Sequence, residues 1–209
     1  AHDFLARNIR YINRFDKDLH TIVGPFTKKQ GVCEGYAKAF KYLLDMMNIP
    51  CQIVYGYGCD QGVGVEESHA WNMIQLYEHW LHVDVTFDTT IRSEQVLRYD
   101  YFGLSTKQIT RDHRFDIEKY PAAECSCYGY YERNNLVMNT RKQLRDYVSG
   151  VLRSGKTDCV FKLPDSSGEN LDSKVSSEIQ NLLKQLGKNL RYTINYNLKH
   201  LVFHLHFGE

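Results

Sequence analysis

Apolar side chains recur at spacings of three and four in the first twelve residues. Phe4, Leu5, Ile9 and Ile12 share one face with Asn8, which predicts the end of an amphipathic helix. Residues 13–30 show no period, and Gly24-Pro25 is a turn signal. A second stripe then runs through Cys33, Tyr36, Ala37, Phe40, Leu44 and Met47. It predicts a helix that starts after Gly31 and stops at Asn48-Ile49-Pro50, because proline disfavours a helical residue ahead of it. Cys51–Tyr57 reads as a strand and Gly56, Gly58, Gly62 and Gly64 as a loose loop. Two more strands are expected over His69–Leu76 and Trp80–Phe87, joined as a hairpin. Ser105–Ile109 reads as a short helix, and Tyr120-Pro121-Ala122-Ala123 marks a domain boundary.

The remainder patterns as a separate unit. Strands are expected at Tyr131–Val137, Asp158–Leu163, Arg191–Tyr196 and Leu201–Phe207, with helices at Lys142–Leu152 and Ser177–Leu186. The polar stretch Asp165–Ser177 reads as a surface loop. The order β-α-β-α-β-β predicts a small two-layer α/β domain over 130–209, beside a core over 1–121. There is no internal repeat.

Composition adds exclusions. With 209 residues, 43% hydrophobic and 24% charged, the chain is long enough for a sizeable core and unlike a disordered one. The net charge of +1 argues against a protein that grips nucleic acid by phosphate neutralisation. No apolar run approaches the roughly 20 residues of a membrane span. The start, Ala1-His2-Asp3-Phe4, has neither an initiator Met nor a signal segment, so the sequence reads as a processed piece. Six cysteines match no four-Cys zinc pattern and are too sparse for a disulfide scaffold.

The chemistry concentrates at three positions. Cys33 opens a helix, where unpaired backbone N–H groups and the dipole favour a thiolate and can hold an oxyanion. A two-residue turn at Tyr77-Glu78 sets His69 opposite Thr86, so Asp84 shares the face of His69. A turn at Glu78-His79 preserves that parity. The carboxylate can then orient the imidazole, whose other nitrogen faces the thiol. Each residue alone has a plainer reading: a lone helical Cys is usually a small core residue, and a lone His or Asp a satisfied polar group. The plainer readings lose when order, spacing and flanking residues are taken together.

Those flanking residues carry a resemblance. Gly31-Val32-Cys33-Glu34-Gly35-Tyr36-Ala37, Ser68-His69-Ala70-Trp71-Asn72 and His82-Val83-Asp84-Val85-Thr86-Phe87-Asp88 resemble the transglutaminase-like superfamily, in particular its bacterial branch. The likeness covers roughly residues 1–121 and extends through Tyr101–Ser105 to His113. Phe87 stands where that branch often has Trp. The resemblance implies a papain-like α+β core, with the Cys-bearing helix packed on an antiparallel sheet. It also implies Cys33 as nucleophile, His69 as general base and acid, and Asp84 as orienter. The activity expected is cysteine-dependent acyl transfer on peptide or amide bonds through a thioester, as a protease or amidase. Rival readings are a protein-crosslinking transglutaminase, a different acyl transfer such as arylamine acetylation, and a binding module on the same fold. No metal or organic cofactor is required. The implied partner is a protein or peptide substrate, and the implied location is extracellular or in the cell envelope. The C-terminal unit, separate, mildly basic and with aromatic strands, is expected to bind substrate or a cell-wall or cell-surface component.

Several neighbours have two readings. Glu34 is either a first-turn acid favoured by the helix dipole or a contact for a substrate amine. Tyr36 and Trp71 either wall the cleft or belong to the core. Gly35 is expected to allow close helix–sheet contact, and Asn72 to satisfy buried backbone. Cys125-Ser126-Cys127 reads as a loop with ordinary thiols rather than a redox or metal pair. His204 and His206 are expected on the strand face opposite Phe203, Leu205 and Phe207, without a third ligand. His79 and His82 are expected at the surface.

Overall fold

The computed structural model describes residues 1–59, 65–93, 96–125, 127–165 and 168–208. Its first apolar stripe forms the short helix α1 (His2–Asn8), which buries Leu5 and Ala6. Ile9 is also buried, but its backbone is already extended. The strand β1 (Arg10–Tyr11) follows and pairs in parallel with β2 (Gln30–Gly31). Between them the chain makes a tight turn at Lys17–His20 and a wide one at Gly24–Lys28. From β2 it passes through the extended Val32 into helix α2 (Cys33–Met46). The second stripe becomes the buried face of this helix, through Tyr36, Ala37, Phe40 and Leu44. Each fully buried large apolar side chain there favours folding by about 1.5–3 kcal/mol. Asn48, in the left-handed conformation at φ 55°, turns the chain out of the helix.

The sheet is built from β3 (Cys51–Cys59), β4 (Glu66–Leu76) and β5 (His79–Val83). The short helix α3 (Val85–Ile91), strand β6 (Phe102–Leu104), helical turn α4 (Thr106–Ile109) and strand β7 (His113–Arg114) follow. The order is β6-β5-β4-β3-β7, antiparallel throughout. The β4–β5 hairpin turns at Tyr77-Glu78, with Leu76 opposite His79 and Asn72 opposite Val83. Tyr77 takes the left-handed conformation that such a tight turn needs. The helix α2 is tied to the sheet by Asn72, whose amide Nδ2 donates to the Ala37 carbonyl at 3.0 Å.

Two expectations for this region are corrected. The third strand stops at Val83 rather than Phe87, because Asp84 caps α3 by accepting the Phe87 N–H at 3.0 Å. Gly56 and Gly58 lie inside β3 rather than in a loop. A Cβ on Gly56 would meet the Arg114 carbonyl oxygen at 2.2 Å, so glycine is what admits β7 to the sheet edge. Gly62 and Gly64 lie outside the described residues.

The described chain divides into two compact units, Ala1–Tyr130 and Tyr131–Glu209. The expected strand at Tyr131–Val137 is instead the helical turn α5 (Tyr130–Arg133) followed by a single bridge from Val137 to Lys162. Asn135, at φ 55°, breaks the extended run. The second unit then comprises α6 (Arg141–Arg153), β8 (Asp158–Lys162), α7 (Leu171–Gln185), β9 (Arg191–Asn197) and β10 (Val202–Gly208). Thr140 and Gln143 close α6 with a reciprocal capping box. The three strands form an antiparallel sheet in the order β8-β10-β9. Leu144, Val148, Val175, Ile179, Phe161 and Phe203 share its core. Helix α7 begins at Leu171, well inside the expected polar loop. Leu171, Val175, Ile179 and Leu182 make one helical face that the surrounding polar residues obscure.

Gly35 owes its identity to a backbone rather than to the sheet. A Cβ there would lie 2.1 Å from the Leu19 carbonyl oxygen, which also accepts the Val32 N–H. Gly35→Ala must therefore displace either the turn or the first turn of α2. We expect a loss of about 1–3 kcal/mol, the range for overpacking, in chemical denaturation. An unchanged midpoint would show that the approach relaxes at no cost.

Candidate active site

Cys33 is the first residue of α2 and carries a free, partly exposed thiol. It lines a cavity of about 120 Å³ together with Tyr11, Gly58, His69, Phe87 and Tyr101. A larger cavity of about 570 Å³ lies in the second unit among Met138, Thr140, Leu163 and Leu171.

His69, on β4, is buried. Its Nε2–H donates to Asp84 Oδ2 at 2.6 Å, and it lines the same cavity as Cys33, which helps to hold charge on the ring. Because Nε2 is committed to the carboxylate, Nδ1 is the nitrogen left for the thiol. The ring is held between Phe87, at 4.7 Å between centroids, and Trp71, at 5.9 Å. Asp84 stands where β5 gives way to α3, fully buried, and its other oxygen caps the helix.

A second imidazole completes the arrangement. His113, on β7, donates Nε2–H to the same Asp84 Oδ2 at 3.0 Å. Its Nδ1–H donates to Asp112 Oδ1 at 2.7 Å, and the Tyr101 hydroxyl donates to Asp112 Oδ2 at 2.8 Å. The spacing of apolar residues gave no sign of this pair, because β7 is only two residues long. The signal in the sequence was the run of likeness reaching His113.

The charges follow from these contacts. Burial disfavours charge on His69, but the Asp84 carboxylate and the Cys33 contact outweigh it and push the imidazole up to about 10. Burial would raise Asp84, yet the charge on His69 and the bonds from both imidazoles hold it well below the usual carboxylate range. His113 is likewise raised: burial opposes the proton, and Asp112 and Asp84 retain it. His69, Asp84 and His113 bring ligand-type atoms within 4.8 Å of one another, and those atoms are engaged in the hydrogen bonds just given.

Other expected site residues sit elsewhere. Tyr36 and Trp71 do not wall the cleft. Tyr36 is buried with its hydroxyl donating to the Ile9 carbonyl at 2.6 Å, and Trp71 is buried with Nε1–H donating to His82 Nδ1 at 3.1 Å. His82 is consequently buried rather than at the surface, with burial and the nearby His113 lowering it to about 3. Glu34 is engaged by Lys38 at 2.7 Å and His20 at 3.0 Å, the pairing of a first-turn acid rather than of an open amine site. Cys125 and Cys127 are joined by a disulfide rather than left as two thiols. His204 is buried, and both His204 and His206 reach Asp158 Oδ1, at 2.8 and 3.0 Å. Their strand face is therefore only half solvated, and a carboxylate does stand beside them.

An α+β core, with a helix-borne thiol set against an antiparallel sheet that supplies the imidazole, is the class this geometry defines. A family model described as the transglutaminase-like superfamily matches residues 1–85, a stretch that contains Cys33, His69 and Asp84. Over that stretch the chain is similar to that superfamily. Among solved structures it is similar to a candidate cysteine protease from Cytophaga hutchinsonii, at 22% identity and a TM-score of 0.36, over 41% of this chain and 29% of that one. It is also similar to a structure described as a TGase, at 18% identity and a TM-score of 0.35, over 41% of this chain and 24% of that one. The chain thus spans less than a third of either relative's length. No curated protein matches.

The raised imidazole has a consequence for stability. The folded value of about 10 lies above the ordinary 6.5 of His69. Its contribution is therefore fully present below about 6.5 and is lost as pH rises through about 10. We expect the melting temperature to fall across that alkaline window, and to fall less in His69→Gln. Equal alkaline slopes in the two proteins would contradict an imidazolium held by Asp84.

Proposed function

We propose that this chain is a cysteine-dependent acyl-transfer enzyme that cleaves peptide or amide bonds through a thioester. The observation that carries this reading is an imidazole held by Asp84 on Nε2 in a cavity that it lines together with Cys33. The Cys33 thiol gives its proton to His69 as its sulfur attacks the carbonyl carbon, and the C=O electrons move to oxygen. The first N–H groups of α2 lack intrahelical partners and are suited to that oxyanion. As the carbonyl re-forms, the C–N bond breaks and His69 gives its proton to the leaving amine. A water then attacks the thioester, His69 takes its proton, and the C–S bond breaks to release the acid and restore the thiol. Asp84 stays ionised throughout and holds the ring.

The substrate class is a protein or peptide. We place the enzyme outside the cell or in its envelope, as the resemblance to the bacterial branch implies. For the second unit we propose a substrate- or surface-binding role, supported by its separate core. In the described residues no helix is long and apolar enough to cross a membrane.

The pH profile of alkylation at each cysteine, read by mass spectrometry, tests the reading. Cys33 should label faster than Cys51 and Cys159 in the wild type and lose that advantage in His69→Ala. Turnover of any peptide substrate should fall at least ~100-fold in the same variant, the low end for general acid–base catalysis. Labelling of Cys33 no faster than that of the buried Cys51 or Cys159 would sink the enzyme reading in favour of a binding module. Incorporation of an added amine in preference to hydrolysis would reassign it as a crosslinking transglutaminase.

A further inference from the structure

Asp84 is asked to hold two imidazoles with one oxygen. His69 and His113 both donate Nε2–H to Oδ2, at 2.6 and 3.0 Å, and their ring centroids are 5.5 Å apart. A carboxylate only accepts. Each of these nitrogens therefore carries a proton. The second nitrogen of His113 also faces a carboxylate, Asp112 Oδ1 at 2.7 Å. Both ring nitrogens of His113 are thus donors, which makes the ring an imidazolium. It is fully buried, in contact with Trp71 at 4.8 Å and Phe87 at 4.7 Å, so the charge has no route to water.

We propose that His113 is a positioning residue of the Cys33–His69–Asp84 site: a standing cation clamped between Asp84 and Asp112 that aims the Asp84 carboxylate and tempers its hold on the proton of His69. The inference rests on the acyl-transfer reading for its catalytic meaning. The charge on His113 does not depend on that reading.

The physical case is one of balance. A carboxylate serving His69 alone, in a buried site, would hold the imidazolium so firmly that proton delivery to a leaving amine becomes costly. His113 shares the same oxygen and places a like charge beside His69, and both effects loosen that proton. Asp112 compensates the added charge, and the Tyr101 hydroxyl at 2.8 Å holds Asp112 in turn. The groups facing His113 come from every side. They are Asp112 on its own strand, Asp84 ahead of α3, and His69 and Trp71 on β4, with His82 on β5 and Tyr101 before β6. Arg114 points away, exposed and paired with Glu66. Among these, His82 accepts from Trp71 and is driven neutral by burial and by His113.

Imidazole ¹⁵N NMR tests this in Cys33→Ser, where His69 titrates without a coupled thiol, and in Cys33→Ser/His113→Gln. Glutamine keeps an N–H for Asp84 and removes the charge. We expect His113 to be doubly protonated at neutral pH in the single variant. The His69 midpoint should move to higher pH by about one unit in the double variant, the size expected for a like charge at this separation. A role confined to packing would lower the melting temperature and leave that midpoint in place. A neutral His113 at neutral pH overturns the proposal even if the double variant does not fold. So does an unmoved His69 midpoint. In the wild type, an unreactive Cys33 would dispose of the acyl-transfer reading and leave the charge of His113 still to be decided by the spectra.

Discussion

The first unit is organised around one fully buried carboxylate. Asp84 accepts the Phe87 N–H on one oxygen and the imidazoles of His69 and His113 on the other. Taking such a charge out of water costs several kcal/mol unless its lone pairs are satisfied. Three donors from three elements satisfy them here. The same residue therefore ends a strand, starts a helix, orients the residue facing Cys33 and fastens β7 to the sheet edge. Removing its charge would leave two buried imidazoles competing for a weaker acceptor.

The surrounding fold serves to bring those donors together. The hairpin register fixes His69 and Asp84 on one face, and the glycines of β3 let neighbouring groups close in. A Cβ on Gly58 would meet the Phe87 ring at 2.9 Å and His69 at 3.2 Å. Helix α2 delivers Cys33 from the other side. Its orientation is fixed by the Asn72–Ala37 hydrogen bond and by Gly35, which admits the Leu19 carbonyl. Burial then does double duty. It raises the cost of every unpaired charge, and it makes each paired one a strong determinant of its neighbour's protonation.

Much of this was legible in residue spacing. Local patterns set the limits of α2 and narrowed the hairpin turn to Tyr77-Glu78 or Glu78-His79, and either turn puts His69 and Asp84 on one face. What spacing could not show was anything settled by a competing local interaction. A β-rich run, Trp80–Phe87, is cut short because an aspartate side chain caps a helix inside it. The polar stretch before Ser177 conceals a helical face, because three of every four residues there are hydrophilic by design of the surface. His82 and His204 read as surface residues because a polar type in a strand suggests solvent, whereas Trp71 and Asp158 supply partners inside the protein's own structure. His113 was hardest of all to assign. A two-residue strand has no period, and its role depends on a carboxylate 29 positions earlier.

The central claim is that Asp84 holds a charged imidazole at His69 in the cavity that Cys33 also lines. Imidazole ¹⁵N NMR of the wild type, followed through a pH titration, measures it without any substrate. The account predicts a His69 ring that keeps both N–H protons through neutral pH and loses one only as the pH rises to about 10. A ring already neutral at neutral pH would contradict it.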